Sequence, residues 1–254
     1  VRIRIENTHL EENELFDLRR SLSTIDSIVK ILNHSDEDES HAEENDGWRR
    51  EKKYTYPSLH LLAKDIVTFP QIVQRIDQIL DKFGKIRDNA TPELLQIRRE
   101  LAKTEGSISR TLYSILRSAQ SEGVVEKDVT PTLRDGRLVI PVIPTLKKKI
   151  KGIVHDESAT GKTVFIEPTE VVEANNRVRE LEGEERKEII RILTQFTNKL
   201  RPYTREIMDS YRFLAKIDLI QAKQKLAEIQ KAIEPEVEDH PHCAWIRAIH
   251  ALMQ

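Results

Sequence analysis

Hydrophobic positions recur along this chain with two different periods, and the change between them divides it. Leu15, Leu18, Leu22, Ile25, Val29 and Leu32 are spaced alternately three and four residues apart. That spacing lays a coiled-coil-like seam on a helix of roughly 9 to 33. Leu59, Leu62 and Ile66 share one face of a short helix farther on. Pro70 is placed to open the next helix, which carries Ile72, Ile76, Ile79 and Phe83 and stops at Gly84. Thr91-Pro92-Glu93 has the form of an N-cap followed by Pro at the first helical position. The helix it opens should reach about Gln120, with Leu94, Leu101, Ile108, Leu112 and Ile115 as its stripe and Gly123 as its end.

The period changes from Val124 to Pro168. The stretches LRDGRLVIPVIP and KKKIKGIVHDESATGKTVFIEP combine prolines, a Gly turn and β-branched runs, which predicts two or three short strands. Beyond Pro168 the helical spacing returns through Val172, Leu181, Ile189, Leu193, Phe196 and Leu200. Pro202 should break or bend it. Ile207, Leu214, Ile217, Leu226 and Ile229 then continue to about Ile233. The predicted fold is mainly α, a bundle of long helices with a small β-hairpin insert at its tip. The expected segments are 1–123, helical with the first long helix; 124–168, the β insert; 169–234, the returning helices; and 235–254, a linker. A hairpin that small should have little core of its own and open independently of the helices.

Charge refines this plan. Charged residues make up 33% of the chain and aromatic residues 5%, a mix that suits half-exposed helices better than a thick globular core. The net charge of −2 excludes bulk attraction to nucleic acid, so any such contact needs a local patch. A single cysteine, Cys243, excludes an internal disulfide framework and fits a cytoplasmic protein. No apolar run approaches a membrane span, and no membrane partner is expected. SDEDESHAEEND, from Ser35, reads as an acidic surface loop. The chain starts without Met, which suggests an internal piece of a longer protein.

The stretch Ala159-Thr160-Gly161-Lys162-Thr163 resembles the end of a phosphate-binding P-loop. However, Asp156 stands where that pattern needs its first glycine, and a carboxylate there would repel a phosphate. Thr163-Val164-Phe165-Ile166 also reads as a strand, not as the start of a helix. The stretch is therefore read as a hairpin, and no cofactor is expected on it.

The same residues carry a family resemblance. Arg137, Val139 to Val142, Gly152 to Asp156, Ser158, Ala159, Gly161, Thr163 and Phe165 to Pro168 match a pattern like R-x-V-I-P-V … G-I-V-H-D-x-S-A-S-G-x-T-x-F-I-E-P, with Thr160 in place of the usual Ser. FGKIRDNATPELLQIRREL resembles G-x-I-x-D-x-A-S-x-E-L-x-x-I-R, and ANNRVRELEGEERKEIIRIL resembles N-N-x-x-x-x-L-x-x-x-E-x-x-E-I-x-x-I-L. LAKIDLIQAKQKLA resembles a further helix of the same family, and IRAIHALM a degenerate A-R-H-P-L-L with Ala251 where Pro is usual. These patterns resemble the second bacterial MutS subfamily, MutS-two, over nearly the whole chain.

The resemblance implies the core, lever and clamp region of such a protein. The ATPase domain, with its ATP and Mg, and a C-terminal Smr nuclease domain would lie elsewhere. It implies no enzyme activity for this stretch. It implies a homodimer for the full-length protein, made largely through other domains, which leaves monomer as the expectation here. The implied partner is branched or duplex DNA, with suppression of recombination as the role. The alternative within the family is the ribosome and its rRNA, with collided ribosomes gripped and split. A third reading is a coiled-coil interaction module without nucleic-acid contact.

Lys147, Lys148, Lys149 and Lys151, joined by Arg134, Arg137 and Lys162, form the densest basic cluster and are the candidate phosphate-backbone contacts. The competing reading is a solvated edge strand guarded by lysines. Asp156, Glu157, Ser158 and Thr160 read as turn-stabilising residues, not as a catalytic or metal site. Thr169 is a candidate helix cap. Asn175 and Asn176 either bond back to the hairpin base or face water. Glu238, Asp239, His240, His242 and Cys243 read as linker residues and not as a zinc site, because Pro241 separates the histidines and no second cysteine is present.

Overall fold

A computed structural model describes residues 2–34, 54–234, 237, 239–241 and 243–244, with the side chains of Arg2 and Ile3 left out. The acidic loop, the C-terminal IRAIHALM motif, Glu238 and His242 lie outside these residues. Among the described residues there are seven helices: α1 (Arg2–Asn7), α2 (Glu12–Leu32), α3 (Pro57–Ala63), α4 (Pro70–Ile79), α5 (Pro92–Ser121), α6 (Val172–Leu200) and α7 (Thr204–Ile229). Four strands lie between α5 and α6: β1 (Thr132–Arg134), β2 (Arg137–Val142), β3 (Gly152–Glu157) and β4 (Val164–Pro168). The chain is thus mainly α with a β insert, and it divides into two compact units.

The first unit comprises Val1–Asn7, Glu14–Ile76 and Leu200–Gln254. All six seam residues of α2 are buried there. In α7 only Ile207, Ser210 and Phe213 are fully buried, and the Ser210 hydroxyl donates to the Val67 carbonyl at 2.9 Å. The predicted stripe does not continue: Leu226 and Ile229 are exposed. α7 ends at Ile229 because Lys231 takes a left-handed conformation, φ 46°, and the N–H groups of Lys231 and Ala232 close back on the Glu228 and Ala227 carbonyls. Near Pro202 the predicted break is one 3-10 turn, Arg201–Tyr203.

The second unit comprises Thr8–Asn13 and Asp77–Lys199. α4 stops earlier than the hydrophobic spacing suggests, and Phe83 is exposed. Asp81 causes this by accepting the Phe83 and Lys85 amides at 2.8 and 2.9 Å, which folds the chain into a turn. The Lys85 amide leads these bonds, which outweigh burial and hold the Asp81 carboxyl below the ordinary carboxylate range. Thr91 caps α5 as predicted, its hydroxyl accepting from the Leu94 amide at 3.1 Å. Gly123, φ 73°, ends α5: its N–H and that of Val124 return to the Gln120 and Ala119 carbonyls.

Side-chain bonds tie α5 and α6 together, running antiparallel. Thr91 donates to Glu188 at 2.7 Å, Arg98 to Glu185 at 2.7 Å, and Arg177 to Glu100 at 2.9 Å. Arg98 also donates to the Ile86 carbonyl at 3.0 Å and pairs with Asp88. Hence Ile86, Asp88, Thr91, Arg98, Glu185 and Glu188, drawn from two separate sequence motifs, are direct neighbours in the fold.

The strands form one antiparallel sheet in the order β1-β2-β4-β3. Asp135-Gly136 makes the β1–β2 turn with φ of 47° and 71°, as a two-residue hairpin that follows the strand twist requires. Leu138, Ile140, Val142, Val164 and Ile166 pack with Ile108, Leu112 and Leu116 of α5 and Val178 of α6. This corrects the expectation of a hairpin with little core of its own: the sheet shares its core with both helices. Strand alternation sends Phe165 and Glu167 to the other face. Thr169 does not cap α6. It lies in a 3-10 turn, Thr169–Val171, and its amide donates to the Lys151 carbonyl.

Candidate nucleic-acid interface

Between Thr132 and Pro168 there are seven Lys or Arg and four Asp or Glu, so this element is cationic within an acidic chain. The structure sorts the seven cations into two kinds. Lys147, Lys148 and Lys149 lie on a 3-10 turn, Pro144–Lys149, and not on a strand as edge protection would require. All three are exposed, as are Lys151 and Lys162. Among the described residues, none of these five side chains has a carboxylate or hydrogen-bond partner. Lys162 lies in the β3–β4 turn and lines a groove of about 550 Å³ with Val125, Val129, Ile143, Pro144 and Thr145. The groove brings that turn beside the segment leading to Lys147. Arg134 is exposed on β1, its guanidinium 4.2 Å from the centre of the Phe165 ring, a cation–π contact that fixes its position.

Arg137 is of the other kind. Its side chain is 14% exposed. It donates to Glu167 at 2.7 Å and to the Asn176 side-chain oxygen at 2.6 Å. Glu167 is fully buried and also receives the Asn175 amide at 2.7 Å. His155 Nε2 lies 2.5 Å from its second oxygen. Burial alone pushes the Glu167 carboxyl up, but hydrogen bonds from Asn175, His155 and Arg137, with the Arg137 charge, outweigh it. The carboxyl is held below its ordinary range. Asn175 and Asn176 therefore bond back to the hairpin base.

Gly152 makes this packing possible. It pairs with Pro168 on β4, and a Cβ at Gly152 would come within 2.2 Å of the Glu167 carbonyl oxygen. His155 lies at the register shift between Val154 and Asp156, a bulge that re-aims its side chain. The lower part of the hairpin is a plain turn. The Ser158 hydroxyl accepts the Thr163 amide at 3.0 Å, and Gly161 has φ 65°. Asp156 accepts the Glu157 amide at 2.8 Å. Strand follows Thr163, as the sequence indicated, so the lysine of the Thr-Gly-Lys-Thr run is not at a helix N-terminus.

Among the described residues no group of His, Cys, Asp and Glu has the arrangement of a metal site. No protein-family model matches the chain. Proteins named Endonuclease MutS2 do. The one from Levilactobacillus brevis is 37% identical over 240 residues, covering 94% of this chain and 28% of its own length. That from Enterococcus faecalis is 33% identical over 240 residues, covering 94% and 28%. That from Geobacillus sp. strain WCH70 is 36% identical over 203 residues, covering 80% and 26%. This chain belongs to the MutS2 family. It spans a little over a quarter of the length of the MutS2 relatives it matches. The MutS2-like motifs identified in the sequence, Arg137, Gly152, His155, Glu167, Asn175 and Asn176, surround one carboxylate, and the free lysines lie outside that set.

Proposed function

We propose that this segment is a nucleic-acid-binding part of a MutS2-type protein, and that its β element grips the sugar–phosphate backbone. The observation that supports this most directly is the five exposed lysines without side-chain partners, Lys147, Lys148, Lys149, Lys151 and Lys162, in a chain of net charge −2. Arg134, fixed over Phe165, joins them. Arg137 belongs to the internal network and supports the grip from behind. Lysines act on phosphates as point charges and read no sequence. The contact is accordingly one of charge and position, and branched or duplex DNA is its proposed ligand. The relatives' name, Endonuclease MutS2, accords with a DNA ligand. In the whole protein this grip would serve control of recombination, with ATP and Mg acting in a separate domain.

The test is fluorescence anisotropy of labelled duplex, branched DNA and structured RNA against the wild-type chain and the Lys147, Lys148, Lys149 and Lys151→Glu variant. The reading predicts loss of DNA binding with an unchanged helical circular dichroism spectrum. Equal binding by the variant would contradict it. Preference for structured RNA over both DNAs would move the proposal to a ribosomal ligand.

A further inference from the structure

Polar contacts from two strands and one helix meet at the Glu167 carboxylate. Arg137 reaches it from β2, His155 from β3 and Asn175 from α6, while Glu167 itself stands on β4. Asn176 of α6 holds the other end of Arg137. One turn farther along α6, Arg179 donates to the Asp135 carbonyl in the β1–β2 turn. α6 is also tied to α5, through Arg177 to Glu100 at its start and through Glu185 and Glu188 farther on. The ties to the sheet are confined to the start of α6, whereas those to α5 run from its start to its middle. The shared apolar core holds the sheet against the helices but supplies no directional bonds. A buried carboxylate with three donors does fix direction, because each donor must meet a lone pair.

We propose that Glu167 is the positioning residue that locks the orientation of the cation-bearing sheet to α6, so that a rotation of α6 carries the sheet with it. A neutral amide at this position accepts through one oxygen only. Its NH2 group would face either His155 or the Arg137 and Asn175 donors. Either way the lock loses the charge that pairs with Arg137, and where the NH2 meets the Arg137 and Asn175 donors it loses those ties outright, while the apolar core remains.

The experiment needs no nucleic acid, so its failure would leave the backbone-grip proposal standing. Spin labels are placed at Ala159→Cys in the β3–β4 turn and Lys187→Cys on α6, in a chain carrying Cys243→Ser. Double electron–electron resonance reads the distance distribution. The parent should give one narrow distance. Glu167→Gln should lose it and give a broad distribution, with the amide spectrum of the sheet retained. Val178→Ala is the control: it weakens the shared core without touching the carboxylate, and should lower the melting temperature yet keep the distance narrow. If Glu167→Gln loses the sheet itself, Asn175→Ala and Asn176→Ala carry the test, since each removes one α6 tie and leaves the carboxylate paired. Unchanged width in Glu167→Gln, or in both asparagine variants where they carry the test, would overturn the proposal. So would broadening in Val178→Ala equal to that in Glu167→Gln.

Discussion

Glu167 is fully buried and bonded by three side chains, and its energetics follow from that burial and pairing. Removing one partner of a buried, hydrogen-bonded ion pair leaves the other uncompensated. Glu167→Ala should therefore destabilise the second unit by about 3–5 kcal/mol, read from urea unfolding. The pH dependence has a definite sign. The folded-state pKa of Glu167 is lowered, by bonds from Asn175, His155 and Arg137 that outweigh its burial, and that of Glu188 is lowered chiefly by Arg191. A group depressed in the folded state contributes stability above its unfolded pKa and loses it as pH falls through the folded value. The melting temperature should hold near neutrality and fall below the ordinary carboxylate range, with a shallower fall in Glu167→Gln. An equally steep fall in that variant would assign the acid sensitivity to other carboxylates. Gly152→Ala should disturb the same site, because the added methyl meets the Glu167 backbone; loss of the β3 and β4 amide pattern would report it.

Both ends of α5 were legible in the sequence because their signals are local: Thr91-Pro92 and Gly123 each specify a backbone conformation within a few residues. The β insert was legible as such, but the two or three strands expected are four, β1 and β2 being joined at Asp135-Gly136. Thr91→Ala should cost about 1 kcal/mol for the lost cap, with a further loss from the freed Glu188. A urea midpoint unchanged from wild type would show the cap to be idle. The Glu167 site was not legible as a site. His155, Arg137 and Asn176 are brought together over sequence separations of 12 to 39 residues, and only the strand register reveals it. The end of α4 was misplaced because the Asp81 turn overrode an apolar spacing that reached Phe83. The sheet's core was underestimated because Ile108, Leu112, Leu116 and Ala119 of α5 and Val178 of α6, outside the β stretch, complete it. Hydrogen exchange should reflect this sharing: β2 and β4 amides should open together with the C-terminal half of α5. Opening of the strands well before α5 would restore the picture of an independent hairpin.

For the whole molecule, a net charge of −2 makes any nucleic-acid affinity a property of a patch, and the five lysines without side-chain partners among the described residues are the patch proposed. No helix among the described residues is long and apolar enough to cross a membrane. The matched stretch is 28% of the length of the Levilactobacillus brevis MutS2 relative. The most direct test of the proposed grip is the salt dependence of duplex binding. If Lys147, Lys148, Lys149 and Lys151 each neutralise one phosphate, log K against log salt should have a slope of roughly −3.6. Replacing one of these lysines by Ala should reduce the slope by about 0.9 and weaken binding equally for unrelated base sequences. A slope near zero, or one that the substitutions leave unchanged, would show that the β element does not hold the backbone.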